Sequence, residues 1–314
     1  MDNLKKVGLT ALAGSLAAVS AHAAEMTVSG ATVLTYTSED GTEVTGNPYG
    51  MKTNIGFTAS GDVNGMTVSY MQTSVDQFAG MSSARLSVDM GDMGTLAYDQ
   101  GSGSGLATID DKTPTAAEEI WDGLDAATGN ADGLVGAAGS SGVINYIKDV
   151  AGVTMNVAAR RGSGTKNSDG SSSGSGQSAM DIALTGSGDM FGVDGLSWGV
   201  GYGEADAGST GTTAGAEDSD IHGTVFANYS MGPATFGYQM SEITYGANGT
   251  ASQSTDAWGL AINVNDSLSI SYGEREVEYG NAGSAHVTEN GDGIAIAYTM
   301  GSMKIAGNRN EVSN

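Results

Sequence analysis

The sequence predicts an all-β protein, a transmembrane antiparallel β-barrel, on the strength of two observations. The first is the alternation of apolar and polar residues in short segments such as Leu196–Tyr202 and Trp258–Val264. This two-residue period indicates strands with two unlike faces. The second is that the connections are alternately tight, as at Gly61–Gly65, and long, as at Gly162–Gly176. Such alternation puts the short turns at one end of the barrel, as in outer-membrane proteins.

Fifteen strand segments can be distinguished in the sequence. The connections after even-numbered strands are short, whereas those after odd-numbered strands are mostly longer and rich in Gly, Ser, Asn and acidic residues. Short turns face the periplasm and long loops face the exterior in barrels of this kind, so the spacing also predicts the orientation. The strands are predicted to begin near Met26, Met51, Met66, Ser82, Thr95, Val143, Val153, Ala179, Leu196, Ile221, Ala234, Ala257, Leu268, Gly293 and Met303.

The apolar face of each strand is predicted to point outward, toward lipid. Because a soluble sandwich would show the same alternation, the tyrosines near the strand ends are what favours a membrane interface. The clearest outward sets are Ile55/Phe57/Ala59, Val153/Met155/Val157, Met180/Ile182/Leu184 and Phe236/Tyr238/Met240. The tyrosines are Tyr36, Tyr70, Tyr98, Tyr202, Tyr229 and Tyr298.

The first residues predict export. Lys5 and Lys6 precede an apolar stretch, Val7–Val19, and Ala21-His22-Ala23 suits a cleavage site, so residues 1–23 are interpreted as a signal peptide and 24–314 as the barrel. The apolar stretch is shorter than the about 20 residues with which a helix crosses a bilayer. The alternative, an uncleaved anchor, is disfavoured because the cleavage site is well formed.

The composition excludes one class of partner. The chain has 36 acidic and 12 basic residues and a net charge of −24, which argues against nucleic acid. It also has no cysteine, so an exported fold must be held without disulfides, and a closed ladder of hydrogen bonds would serve.

One connection departs from the alternation of short and long connections. The segment after the fifth strand, about residues 100–142, is far longer than ordinary loops. Within it, Thr113 could cap a helix, Pro114 suits a first helical position, and Ala116–Trp121 favour helix. A partly helical insertion at this point would narrow the lumen of a barrel.

Four features follow one another along the chain: the signal peptide, the opening strand Met26–Val33, the turn Gly61–Met66, and Gly91–Leu96 leading into the long third loop. In these features the chain resembles Gram-negative general-diffusion porins of the alphaproteobacterial type. The resemblance implies a sixteen-stranded barrel, a homotrimer in the outer membrane, and a third loop folded inward as the constriction. It also implies a final strand ending in an aromatic residue, whereas this chain ends at Asn314. We therefore expect the last strand to be missing from this sequence.

The candidate functional residues are charged side chains that would line such a pore. Arg85 is in phase with Ser83 and Ser87, and Arg275 with Ser269 and Ser271, so both are predicted to point inward. The predicted wall cations are Arg85, Arg275, Lys52, Arg160 and Lys304. The predicted acids of the constriction loop are Asp110, Asp111, Glu118, Glu119, Asp122, Asp125 and Asp132.

These charges predict a field across the lumen, from loop acids to wall cations, and an excess of negative charge that favours cations. Many relatives carry Gly-Arg after the fifth strand, where this chain has Asp99-Gln100. One expected wall charge is therefore missing. The alternative is that the charges are only solvated in a wide pore.

Other functions are less favoured by the sequence. Gly170–Gly174 matches the spacing of a nucleophile elbow but lies in a Gly/Ser tract, and Gly199–Gly203 is interpreted as a strand with small inward residues. We therefore expect no enzyme and no cofactor. The second candidate is a surface-binding adhesin or structural barrel, whose acidic outer loops could hold Ca²⁺ weakly through Glu204, Asp206, Glu217, Asp218 and Asp220. A soluble β-solenoid would need a short fixed repeat, which the sequence lacks.

Overall fold

A computed structural model describes residues 25–38, 48–74, 80–120, 133–139, 141–161, 178–206, 219–246, 250–281 and 287–313. The predicted signal peptide lies outside the described residues. The described strands are joined antiparallel, in sequence order, in one fifteen-stranded sheet. They are β1 Glu25–Tyr36, β2 Tyr49–Val63, β3 Met66–Ser74, β4 Met81–Asp89, β5 Thr95–Gln100, β6 Ser141–Val150, β7 Val153–Arg160, β8 Ala179–Ser187, β9 Leu196–Ala205, β10 Asp220–Met231, β11 Ala234–Thr244, β12 Thr250–Asn263, β13 Leu268–Asn281, β14 Val287–Met300 and β15 Met303–Ser313.

The predicted strands are confirmed, and most begin at or beside the predicted residue. β12 and β14 begin earlier than predicted, at Thr250 and Val287. Their first halves carry polar residues on both faces, so the sequence alternation is absent there. Pairing with β13 nevertheless continues, as at Asp256↔Glu276 and Glu274↔Asp292, because backbone hydrogen bonds extend the ladder whatever the side chains are.

The chain divides into two compact units, Met1–Ser102 and Gly103–Asn314. The first unit contains β1–β5, with β1 paired along its length to β2. Its β2–β3 turn is formed by Asn64 and Gly65, whose φ angles are 54° and 79°. Positive φ at both positions defines the tight hairpin turn that favours Asn-Gly, so this predicted short turn has a local cause.

The second unit contains β6–β15 and the segment that follows β5, with β15 paired to β14. Its strands bury the polar face and expose the apolar face. On β11, Phe236, Tyr238 and Met240 are 50%, 39% and 45% exposed, whereas Gln239 and Ser241 are 5% and 3% exposed. This inversion of the usual pattern is expected where the outer face meets hydrocarbon, so the predicted outward set of β11 is confirmed.

The hydrophobic core of the second unit lies on the inner face of the sheet, the face that carries Gln239 and Ser241. One cluster joins Leu106 and Ile109 of the long loop to Ala183 and Phe226 of the strands. A second cluster joins Ala138 of the loop to alanines of β7–β9 and to Val143. The loop is therefore packed against the sheet by apolar contacts. Within the described ranges no helix has the length and apolar character needed to cross a membrane.

Candidate functional site

The long loop after β5 lies along the inner face of the second unit, and its described parts are 103–120 and 133–139. The predicted helix at Ala116–Trp121 is wrong for its described part, since residues 116–120 form bends and a turn. A 3-10 helix is found instead at Gly105–Ile109. The reason is that the Ala116 N–H donates to the Ser271 hydroxyl of β13, 2.9 Å away, so contacts with the sheet replace local helical bonding.

Polar side chains of the sheet hold the loop backbone at successive points. Each of them faces inward, and most bind a peptide group of the loop rather than a side chain, so the path of the loop is specified largely through its backbone. The hydrogen bonds are Gly105 N to Asn156 Oδ1 (2.8 Å), Leu106 N and Ala138 N to the two carboxylate oxygens of Asp181 (2.9 Å each), Gln239 Nε2 to Ile109 O (3.0 Å), Lys112 N to Gln239 Oε1 (2.6 Å), Asn228 Nδ2 to Lys112 O (2.8 Å) and Asn310 Nδ2 to Glu119 O (3.4 Å).

A row of four glycines crosses β11–β14 beneath the loop. Each residue of this glycine row is paired directly with the next one on the neighbouring strand, and the row with its two end residues extends over six adjacent strands. The row has an asparagine at each end, and both asparagines donate to loop carbonyls. In order from β10 to β15 the residues are Asn228, Gly237, Gly259, Gly273, Gly293 and Asn310.

The glycine row leaves a shallow trough that two apolar loop residues fill. A Cβ atom added at Gly237 would lie 2.8 Å from Pro114 Cγ and closer still to Pro114 Cδ. A Cβ atom at Gly293 would lie 3.0 Å from Ile120 Cγ2. Contacts shorter than van der Waals separation mean that only glycine lets the loop lie this close to the sheet.

The first part of the loop uses the same device on β9. Leu106 and Ile109 are fully buried and lie over Gly201, where an added Cβ atom would overlap them. Ala137, from the returning part of the loop, lies in the same way over Gly203. Gly201 and Gly203 belong to the segment interpreted from sequence as a strand with small inward residues, and the loop occupies the space that those residues leave.

The predicted loop acids are placed unevenly. Asp110 and Glu119 are half-buried, whereas Asp111 and Glu118 are exposed. Asp122, Asp125 and Asp132 lie outside the described residues. Lys112, the basic residue among them in sequence, is half-buried, and its backbone is held on both sides by Gln239 and Asn228. Acidic side chains are therefore carried by a segment whose backbone is fixed to the sheet.

Arg85 lies in the first unit, on β4, directly opposite Asp99 of β5. Its Nη1 atom is 4.0 Å from Asp99 Oδ2 and 3.4 Å from the Ser102 hydroxyl. Asp99 is fully buried and accepts the Ser102 N–H at 2.9 Å. From the resemblance, Asp99 is noted only as a residue that stands where many relatives have glycine. The register shows it as the partner of Arg85. Lys52, also in the first unit, is exposed and pairs across strands with Val33.

Arg275 and Glu289 form a buried ion pair on the inner face of β13 and β14. Arg275 Nη2 is 2.8 Å from Glu289 Oε1, and the two side chains are 0% and 1% exposed. Gly291, directly opposite Arg275, leaves room for the guanidinium, whose Nε atom would be 3.3 Å from an added Cβ atom. Arg275 is therefore neutralised by a partner that sequence analysis missed, although Glu289 has the inward phase of Gly291 and Gly293.

The other two predicted wall cations lie at the borders of the site. Arg160, the last residue of β7, is half-buried near Gly139, where a Cβ atom would lie 3.7 Å from Arg160 Nη1. Lys304 is exposed on β15, opposite Thr299. The structure thus brings Arg160, but not Lys304, next to the described loop.

Of the acidic residues proposed for Ca²⁺, Glu204 and Asp220 have protein partners, whereas Asp206 is exposed. Glu204 accepts the Tyr202 hydroxyl at 2.6 Å, and Asp220 accepts the Gly246 N–H at 2.9 Å. Burial, together with the nearby Asp220 carboxylate, raises the pKa of the Tyr245 phenol. Glu217 and Asp218 lie outside the described residues. Across the described ranges, no group of three or more acidic, histidine or cysteine side chains is arranged to hold a metal ion.

The fold is that of known porins. A porin structure refined at 1.8 Å resolution matches 92% of this chain and 95% of its own, at 13% identity and a TM-score of 0.65. A variant of Rh. blastica porin matches 91% and 94%, at 15% identity and a TM-score of 0.59. OmpT of Vibrio cholerae, described as a trimer form, matches 91% and 86%, at 14% identity and a TM-score of 0.57.

No family model matches the sequence, and no curated protein matches it either. At these identities the structural likeness shows a common fold, the antiparallel porin β-barrel. The fold class predicted from sequence is thereby confirmed.

Proposed function

We propose that this protein is a passive channel for small hydrophilic solutes and ions in the outer membrane of a Gram-negative bacterium. The observation that carries the proposal is the long loop fixed along the inner face of a sheet whose outer face is apolar. A loop placed inside a barrel narrows the aqueous path, and pore width is what selects solutes in such channels. No bond chemistry is required, so the proposed function is not enzymatic.

The matched porins support this proposal through their fold. The exposed aliphatic and aromatic side chains on β10 and β11, such as Val225, Tyr229 and Phe236, fit a lipid-facing wall. An adhesin barrel would have the same outer face but no need for a loop bonded to the inner face at so many points. The docked loop therefore favours the channel over the surface-binding alternative.

The test is liposome swelling with full-length folded protein and a series of sugars of increasing size. A channel gives swelling that falls steeply with sugar size. Absence of swelling by protein that is folded in the same vesicles would overturn the proposal and leave the adhesin or structural barrel as the better candidate. Heat-unfolded protein added to matched vesicles is the control.

We also propose that the channel prefers cations. The chain carries a large net negative charge, and exposed acids such as Asp111 and Glu118 lie on the docked loop. Of the predicted wall cations, Arg275 is neutralised by Glu289, which leaves the negative loop charges less opposed. Reversal potentials across a salt gradient test this, and a clear anion preference would overturn it.

A homotrimer is the assembly we propose, and it rests on the resemblance together with the OmpT trimer form. Cross-linking in detergent should give a ladder that ends at three copies. A species that stays at one copy would contradict it. Weak Ca²⁺ binding at the outer loops stays a proposal as well, tested by calorimetry with Ca²⁺ alone.

A further inference from the structure

We infer that Asp181 is the positioning residue that sets the aperture of the channel, because its carboxylate holds both ends of the constriction loop at once. This inference rests on the proposed function. Asp181 Oδ1 accepts the Leu106 N–H from the outgoing part of the loop, and Oδ2 accepts the Ala138 N–H from the returning part, both at 2.9 Å. One side chain of β8 thus joins two loop positions that are far apart in sequence.

The returning part of the loop follows a row of inward residues on three strands. Asp181 of β8 pairs directly with Gly203 of β9, which pairs directly with His222 of β10. Three consecutive loop residues cross this row. Ala138 is bonded to Asp181, while Ala137 lies over Gly203 and Gly136 lies over the His222 imidazole.

The outgoing part is fitted to the same carboxylate. Gly105 has a φ of 56°, and a Cβ atom there would overlap Asp181 Oδ1 and lie 2.6 Å from Ala158 Cβ. Glycine therefore brings the chain close enough for the next residue, Leu106, to donate its N–H to Asp181. Asn156, one strand away on β7, accepts the Gly105 N–H at 2.8 Å and fixes the approach.

Asp181 is only 3% exposed, so its charge is removed from water. A buried carboxylate is costly unless hydrogen bonds satisfy it, and two backbone N–H groups are good donors for that purpose. The dependence is mutual, because both N–H groups would be left without this acceptor if the carboxylate were removed. Among the other anchors of the described loop, Asn156 holds the outgoing end, and those from Gln239 to Asn310 hold the middle, so Asp181 is the anchor that joins the two ends.

The experiment compares wild type, Asp181→Asn and Asp181→Ala in liposome swelling and in single-channel recordings. Asn keeps one acceptor oxygen and can hold one end of the loop, whereas Ala holds neither. We expect the largest sugar that permeates to increase from wild type to Asn to Ala, with a parallel rise in open-channel noise. The Asn variant keeps the test decisive if the Ala variant does not fold.

The matched control is Asp149→Asn. Asp149 is an exposed carboxylate with the inward phase on β6, and it accepts a hydrogen bond from the Thr154 hydroxyl at 2.5 Å. The substitution Asp149→Asn removes the same charge from a residue that is not one of the loop anchors described above. The largest sugar that permeates should therefore be the same as in wild type. Wild-type limits in both folded Asp181 variants would overturn the inference. Failure of wild type itself to pass sugars would instead overturn the proposed channel.

Discussion

The backbone of Pro114 crosses β12 directly over Gly259, so that a Cβ atom on this glycine would lie 2.5 Å from the Pro114 carbonyl oxygen. The contact joins the long loop that follows β5 to the middle of the glycine row. Because the obstacle is backbone and not the end of a flexible side chain, the loop itself must move if the glycine is enlarged.

We expect Gly259→Ala to narrow the channel. The new methyl group pushes the loop away from the sheet and into the lumen, and overpacking of this kind costs about 1–3 kcal/mol. Single-channel conductance should fall. Gly223→Ala is the control, because Gly223 lies on β10 with open space around it. Equal conductance in the two variants would contradict the expectation.

We expect Gln239→Leu to loosen the centre of the loop. Gln239 is 5% exposed and both accepts from Lys112 N and donates to Ile109 O. Leucine leaves these two groups without their partner, at about 1–3 kcal/mol for each buried group. Limited proteolysis of folded protein should then cut the loop faster. The control is Gln253→Leu, at another inward glutamine on β12, which should leave the rate of loop cleavage at the wild-type value. Faster cleavage of the loop in this control would point to a general loss of stability.

We expect Arg85→Gln to increase the preference for cations. The change removes a positive charge that has the inward phase of Ser83 and Ser87, and it leaves Asp99 in place. Reversal potentials in a salt gradient should shift toward the cation value. The control is Arg309→Gln. It removes the same charge from the opposite face of the sheet, where Arg309 forms an exposed ion pair with Glu311. A shift of the same size in both variants would show that overall charge, and not position, is responsible.

We expect Glu289→Gln to destabilise the folded barrel. It leaves the buried Arg275 guanidinium without its carboxylate, and breaking a buried pair costs about 3–5 kcal/mol. Urea unfolding in lipid vesicles, followed by tryptophan fluorescence, measures the free energy of unfolding. Glu311→Gln, which breaks an exposed pair, should change it by only about 0–1 kcal/mol. Similar losses in both variants would contradict the burial argument.

The sequence by itself determined the strands, their inward and outward phases and the short turns. These features are local: a two-residue period sets the faces of β11, and Asn64-Gly65 forms the β2–β3 turn from its own φ preferences. The unusual length of the third connection was equally visible.

Only the tertiary structure decided how that connection lies and which charges are paired. Asn228, Gly237, Gly259, Gly273, Gly293 and Asn310 are far apart along the chain, and they form one row only once the register of six strands is set. For the same reason, the sequence did not predict that the Ala116 N–H would bond to Ser271 in place of a local helix. Nor did it predict that Arg275 would form an ion pair with Glu289. Contacts between distant segments depend on register, and a single strand does not contain that information.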